Sequence, residues 1–288
     1  MAYRAVGFYH LPMHDADGAT LRVDVLGSLR ICVGDVVRTP TAAKQRNVLA
    51  MLALGAGEIV SAAELRRELW GEAAPRTART TLHVYISQLR RLFATAMRES
   101  AATVTDPKDV IVTQPGGYRL NGDLVRVDAH EFETLAAAGH RARAVDDYAA
   151  AAEHFGEALA LWRGRTLVDL TPGPVLRVQV DRLEAGRRSV LDRRIDADLR
   201  IGRHYELLGE LAGLVTRYGT HEGLHLQLMV ALSRAGRRDE AMRVYRTLHR
   251  RLANVGLRPS IRARGIVHDL LLSAASGGEG NRNRLTTQ

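Results

Sequence analysis

Several residue types that mark common protein classes are scarce in this chain of 288 residues. Its one cysteine, Cys32, cannot form an internal disulfide or a cysteine-rich zinc site, and it indicates a reducing cytoplasm. No window approaches about 18 uninterrupted apolar residues, so no membrane partner is expected. A secretory signal is also not expected, because Arg4 is a lone charge and the apolar stretch after it breaks at His10 and Pro12.

Lysine is almost absent, and this excludes one large class of enzymes. Only Lys44 and Lys108 occur, and neither lies in the glycine-rich context that a phosphate-binding NTPase loop requires. The Gly-x-Ser-x-Gly motif of serine hydrolases does not occur either. We therefore expect no enzyme activity and no cofactor.

Positive charge is carried almost entirely by 39 arginines, and the formal net charge is +9 at pH 7. Arginine makes forked contacts with phosphate and guanine, so this excess is compatible with an anionic partner. An arginine preference can also follow from genome composition, and charge alone leaves both explanations open.

One metal-binding motif occurs in the sequence. His221, Glu222 and His225 match the His-Glu-x-x-His pattern of zinc hydrolases, in which two histidines share a metal and the glutamate acts as general base. However, the preceding residues 218–220 are typical of a helix end, and Gly223 weakens a helical start. We favour a loop-to-helix junction here and keep the zinc hydrolase as the weaker alternative.

The N-terminal part predicts a small sheet followed by helices. Residues 1–20 show no periodicity and are expected to form a disordered leader. Residues 21–26 and 29–33 then alternate as antiparallel strands do. Helices are predicted over residues 41–54, from the capping box Ser61–Glu64 to Trp70, and over residues 77–96.

The third predicted helix has two unlike faces. Leu82, Ile86, Leu89 and Phe93 line the apolar face, and no acidic residue occurs from Ala73 to Arg98, although five arginines do. A face with hydroxyl groups and arginines but no acids suits the groove of a DNA duplex, and an ordinary basic surface helix is the alternative. The polar face and its flanks comprise Thr80, Thr81, His83, Val84, Tyr85, Ser87, Gln88, Arg90 and Arg91.

A hairpin follows this helix. Residues 110–113 and 118–120 are predicted strands on either side of Gly116 and Gly117. Strands, three helices and a hairpin follow each other in a winged helix-turn-helix, whose third helix enters the major groove. The hairpin would touch the flanking backbone or the minor groove through Thr113 or Arg119.

The chain after Asp123 is predicted to be helical. Asp128–Glu131 resembles a second capping box. Gly202 and Gly236 lie 34 residues apart, which is the tetratricopeptide period, and similar residues follow each. We expect stacked helix pairs rather than a plain helical bundle, followed by a disordered tail over residues 273–288.

These motifs resemble known bacterial families. Residues 81–91 and 115–120 resemble the effector domain of OmpR-type regulators, and residues 159–164 and 256–260 resemble the bacterial transcriptional activation domain. Together they resemble the Streptomyces antibiotic regulatory proteins. The resemblance implies a mainly α fold with small β: a winged helix-turn-helix over residues 21–123 and an all-α tetratricopeptide-like activation domain over residues 128–272.

The resemblance also implies a function. Such proteins activate secondary-metabolite gene clusters in the cytoplasm, associated with the nucleoid. They bind direct repeats in double-stranded promoter DNA near the −35 region as homodimers, and recruit RNA polymerase holoenzyme through its sigma factor. A repressor or architectural protein of the same fold, and a scaffold that binds only proteins, are the alternatives.

Family positions carry over to this chain residue by residue. The residues of the polar face and flanks of the third helix would contact DNA. Within this set, our own assignment of the helix faces makes Val84 and Gln88 the base readers and the hydroxyl groups and arginines the phosphate anchors. Thr113 and Arg119 fall at wing positions. The polymerase-contact loop would comprise Glu72, Ala73, Ala74, Pro75, Arg76 and Thr77.

Overall fold

The computed structural model describes residues 21–100 and 106–268. The expected leader (1–20) and the expected tail (273–288) lie outside these described residues. The chain divides into two compact units, the first formed by Met1–Ala138 and His154–Val190, and the second by Gly139–Glu153 and Leu191–Gln288, as far as these ranges are described. No described helix combines the length and apolar character needed to cross a membrane.

The elements up to the middle of the chain alternate between strands and helices. In chain order they are β1 (Leu21–Asp24), β2 (Arg30–Val33), β3 (Val36–Arg38), α1 (Ala43–Leu54), β4 (Val60–Ser61), α2 (Ala62–Trp70), α3 (Ala78–Glu99), α4 (Pro107–Val110), β5 (Ile111–Gln114), β6 (Gly117–Leu120) and β7 (Val125–Val127). The helices that follow are α5 (Asp128–Ala144), α6 (Tyr148–Ala160), α7 (Pro174–Arg200), α8 (His204–Arg217), α9 (Glu222–Arg234), α10 (Arg238–Ala253) and a further helix over residues 261–268.

The predicted N-terminal sheet is confirmed and is larger than expected. Its strand order is β3-β2-β1-β7, with β1 antiparallel to β2 and parallel to β7. Alternation in β1 and β2 buries Val23 and Ile31, which pair directly. The short strands β3 and β7 lack the alternation that identified their neighbours.

The three predicted helices are confirmed. Ser61 Oγ accepts from Glu64 N at 3.1 Å and Glu64 Oε2 accepts from Ser61 N at 2.9 Å, so α2 begins with the expected capping box. Helix α3 buries the predicted apolar face and extends to Glu99.

The predicted hairpin is the wing. In β5 and β6, Thr113 pairs with Tyr118 and Gln114 with Gly117, and β6 also pairs with β4. The turn places Gly116 at φ +84°, a conformation that glycine adopts without strain. A Cβ on Gly117 would lie 2.2 Å from the carbonyl oxygen of Val60, so only glycine allows β4 to approach here.

Two buried carboxylates in the first unit accept backbone hydrogen bonds from distant segments. Asp128 accepts from Val25 N at 2.7 Å and from Leu26 N at 3.0 Å, although the sequence predicted that it caps its own helix. Glu68 of α2 accepts from Gly173, Val175 and Leu176 N–H groups at the start of α7. These bonds join the strands and helices of residues 21–127 to the helices that follow them.

The second unit contains the predicted helical repeat. Gly202 and Gly236 precede α8 and α10 at equivalent turns, with φ of +88° and +74°. Helix α9 packs against both α8 and α10, and their apolar faces share a core with Ala263 of the last described helix. The tetratricopeptide-like arrangement is therefore confirmed.

Candidate nucleic-acid interface

The exposed face of α3 is the polar face that the sequence predicted. Thr80, His83, Ser87, Gln88 and Arg91 are exposed, as is Val84, whose exposed fraction is 47%. Thr81, Tyr85 and Arg90 are half-buried at the edges of this face. Exposed hydroxyl, amide and guanidinium groups can donate to phosphates and bases, and an exposed valine can contact a thymine methyl group.

Charge on this face is positive and unpaired. Arg76, Arg79 and Arg91 are exposed, and within residues 21–100 and 106–268 they make no ion pair. The nearest acids along the chain are Glu72, which precedes α3, and Glu99, which is the last residue of α3 and pairs with Arg38 of β3. A phosphate would therefore meet uncompensated positive charge.

Arg90, which the sequence predicted as a phosphate anchor, hydrogen-bonds to the wing. Its Nε and Nη2 donate to the carbonyl oxygen of Ile111 at 3.0 and 2.5 Å, and Nη2 also donates to Thr113 Oγ1 at 2.9 Å. Both acceptors belong to β5. Arg90 and Thr113, predicted as separate DNA contacts, thus bind each other and fix the wing to α3.

A second link joins α3 to the wing, and sequence reasoning did not predict it. The hydroxyl of Tyr118 in β6 lies 2.9 Å from His83 Nδ1, and the two rings meet edge-on with centroids 6.0 Å apart. Burial raises the pKa of the Tyr118 phenol, so the hydroxyl keeps its proton at neutral pH. Tyr118 reads as an ordinary apolar strand residue in the sequence, and nothing there indicates its partner.

Gln88 also has a partner that the sequence did not indicate. The side-chain amide of Gln45 in α1 donates to Gln88 Oε1. With this bond in place, the NH₂ group of Gln88 remains available as a donor.

The predicted polymerase-contact loop connects α2 and α3. Glu72, Ala73, Pro75, Arg76 and Thr77 are exposed and Ala74 is half-buried. Backbone bonds from Ala73 N to Trp70 O and from Ala78 N to Pro75 O, at 3.1 and 2.9 Å, hold both ends of the loop. Its surface is therefore a defined feature next to the N-terminus of α3.

Comparisons with known proteins agree with this geometry. The family model described as "Transcriptional regulatory protein, C terminal" matches residues 38–120, and the "Bacterial transcriptional activator domain" matches residues 127–271. The regulatory protein DnrI of Streptomyces peucetius is 40% identical over 252 residues, which cover 87% of this chain and 92% of DnrI. The chain belongs to the Streptomyces antibiotic regulatory protein family. As a family member it is a transcriptional regulator.

Other relatives of this family member differ in length. The regulatory protein AfsR of Streptomyces griseus is 34% identical over 84% of this chain, which spans only 23% of AfsR. The solved structure of Mycobacterium tuberculosis EmbR in complex with a low affinity phosphopeptide has a TM-score of 0.79 at 28% identity. That match covers 88% of this chain and 66% of the EmbR chain.

The zinc-hydrolase motif of this regulator forms a loop-to-helix junction. His221 caps α9, accepting from Leu224 N at 3.3 Å, and His225 is only 1% exposed and donates from Nδ1 to His221 O at 3.0 Å. Glu222 accepts from the backbone and the hydroxyl of Ser260. Among the described residues, no group of three His, Cys, Asp or Glu side chains could hold a metal ion.

Proposed function

We propose that this regulator binds double-stranded promoter DNA sequence-specifically, with α3 in the major groove and the wing against the flanking backbone or minor groove. Residues 21–123 form the DNA-binding domain in this proposal, and residues 128–272 the activation domain. The observation that carries it is the exposed, acid-free face of α3, which is fixed to the wing by Arg90 and His83. Membership in a family of transcriptional regulators supports the same conclusion.

The side chains of α3 have two different roles in this proposal: some read bases and others bind phosphates. Val84 and Gln88 lie one helical turn apart at the centre of the face and are the proposed base readers. Thr80, Thr81 and Ser87, with Arg91, are proposed as phosphate anchors, and Tyr85 lies at the edge of the same surface. Arg119 and Thr113 are the wing positions, and Arg90 acts by positioning the wing.

The proposed arrangement on the promoter is the one that the family resemblance implies. Two protomers would bind direct repeats near the −35 region, with half-sites about one helical turn apart. The exposed loop of residues 72–77 would contact the sigma factor of RNA polymerase holoenzyme and so activate a secondary-metabolite gene cluster. These steps take place in the cytoplasm, at the nucleoid.

Footprinting and gel-shift measurements on promoters next to the protein's own gene test this function. We expect protection of two tandem half-sites and an affinity that falls steeply with salt. A chain that shifts no promoter duplex at moderate salt would instead be a protein-binding scaffold. A loop variant that binds DNA normally and leaves transcription unchanged would favour the repressor or architectural alternative.

A further inference from the structure

A second acid-free arginine-rich stretch lies at the end of the second unit. Residues 191–240 contain eight arginines and eight acidic residues, so their charge is balanced. Residues 241–268 contain seven arginines and no acidic residue. This stretch includes most of α10 and the last described helix, and it is richer in arginine than the acid-free segment around α3.

Several arginines before residue 241 form ion pairs with acidic side chains, whereas several after it form none with the described residues. Arg200 pairs with Asp196 at 3.4 Å, Arg203 with Asp198 at 3.3 Å, and Arg237 with Glu240 at 2.5 Å. In contrast, Arg246 and Arg250 make no ion pair with any residue of the described part of the chain. The same holds there for three exposed arginines further on, Arg258, Arg262 and Arg264.

Helix geometry places three of these arginines on one surface. Helix α10 buries Ala241, Leu248 and Leu252 on its inner side. Arg243, Arg246 and Arg250 follow at spacings of three, four and seven residues on the opposite side, and all three are exposed. We call these three residues the α10 basic face.

Two contacts near this face are weak. Arg243 lies 3.7 Å from Glu240, which is already held by Arg237, and Arg246 Nε donates to the carbonyl oxygen of Met242 at 3.3 Å. The one acid on the same side, Asp239, is in the first turn, roughly 16 Å along the axis from Arg250. The positive charge of the face is therefore largely uncompensated.

We propose that the α10 basic face binds the phosphate backbone of operator DNA. This inference rests on the proposed function of the first unit. The face offers guanidinium groups without a large apolar anchor among them, whereas a stable protein interface is centred on buried aromatic or aliphatic anchors. Its three arginines span about 10 Å of helix axis, and the same length of duplex carries about six phosphates.

The proposal predicts a specific salt dependence. Each phosphate contact contributes about 0.9 to the slope of log affinity against log salt concentration. Three lost contacts would reduce the slope by up to about 2.7, and each would account for roughly a 3.5-fold change between 50 and 200 mM salt. Because phosphates are the same at every base pair, the preference among operator sequences would not change.

The test uses the full chain and an operator duplex with its flanking base pairs, as defined by footprinting. The variant R243Q/R246Q/R250Q is compared with R143Q/R200Q/R203Q, which removes the same number of charges from arginines of the same unit that pair with Asp196 or Asp198. Circular dichroism checks that both variants fold. Fluorescence anisotropy from 50 to 200 mM NaCl then gives affinity and slope.

We expect the affinity of the first variant to fall about tenfold or more at 100 mM salt, and its salt slope to fall by an amount that corresponds to two or three phosphate contacts. The affinity of the control should stay within about twofold of the wild-type value. Equal losses in both variants would overturn the proposal, since net charge would then explain them. An unchanged affinity with reduced transcription would also overturn it and would indicate an acidic protein partner. If the wild-type chain itself bound no duplex, the proposed function would fail as well, whereas normal operator binding by the first variant would refute only this inference.

Discussion

Replacing Arg90 with alanine separates a positioning role from a direct phosphate contact. The substitution removes two hydrogen bonds to Ile111 O and one to Thr113 Oγ1, all donated by a charged group. Hydrogen bonds that involve a charge contribute about 1.5–3 kcal/mol each, and partial exposure of this arginine reduces that value. We expect a loss of about 2 kcal/mol in the free energy of unfolding.

The wing should become mobile at the same time. Amide hydrogen exchange in β5 and β6 should accelerate, because their link to α3 is weakened. Binding to every DNA sequence should weaken together, since a mispositioned wing affects all duplexes alike. Urea denaturation, hydrogen exchange and gel shifts measure the three effects.

Arg91 provides a matched control on the next residue of the same helix. It is exposed and makes no ion pair in the described part of the chain, so Arg91→Ala should weaken DNA binding without changing stability or wing exchange. If Arg90→Ala matched Arg91→Ala in all three measurements, Arg90 would be a plain phosphate anchor and the positioning argument would be refuted.

Three further predictions concern other parts of the chain. Gln88→Ala should change the preferred operator sequence in a selection from random duplexes, whereas Arg91→Ala should weaken all sequences equally; a uniform loss for both would contradict the division between base readers and anchors. Glu68→Ala should lower the free energy of unfolding by about 3 kcal/mol in urea, because three N–H groups at the start of α7 lose their buried acceptor; exposed Glu72→Ala is the control, and equal stability of the two variants would refute this role. Burial lowers the pKa of His225 below its ordinary 6.5, so the unfolded state binds more protons between the two values and stability should fall as pH decreases through this window; His225→Leu should reduce the fall in melting temperature between pH 7 and 5.5, and an unchanged slope would contradict it.

Local patterns were sufficient to predict most elements of the fold. The Ser61–Glu64 capping box, the apolar face of α3 and the glycine turn at Gly116 each depend on residues close in sequence. Asp128 shows where such reasoning fails. Its spacing to Glu131 indicated a cap, but its carboxylate binds Val25 and Leu26, about a hundred residues away.

The candidate site shows the same limit. Exposure of Ser87, Gln88 and Arg91 follows from helical periodicity, and the structure has them exposed. The partners of Arg90 and His83 depend on how the wing folds back onto α3, a long-range contact without a sequence signature. Composition identified an anionic partner as one possibility but did not separate paired arginines from unpaired ones.

A DNA-cleaving probe on α3 tests the central claim most directly. The only native cysteine, Cys32, is buried, so a Ser87→Cys variant can be labelled selectively with an iron chelate that cuts nearby DNA. If α3 lies in the major groove, cleavage should occur inside each operator half-site, at positions about one helical turn apart. A labelled protein that still binds the operator but cuts only outside the half-sites, or not at all, would contradict the account.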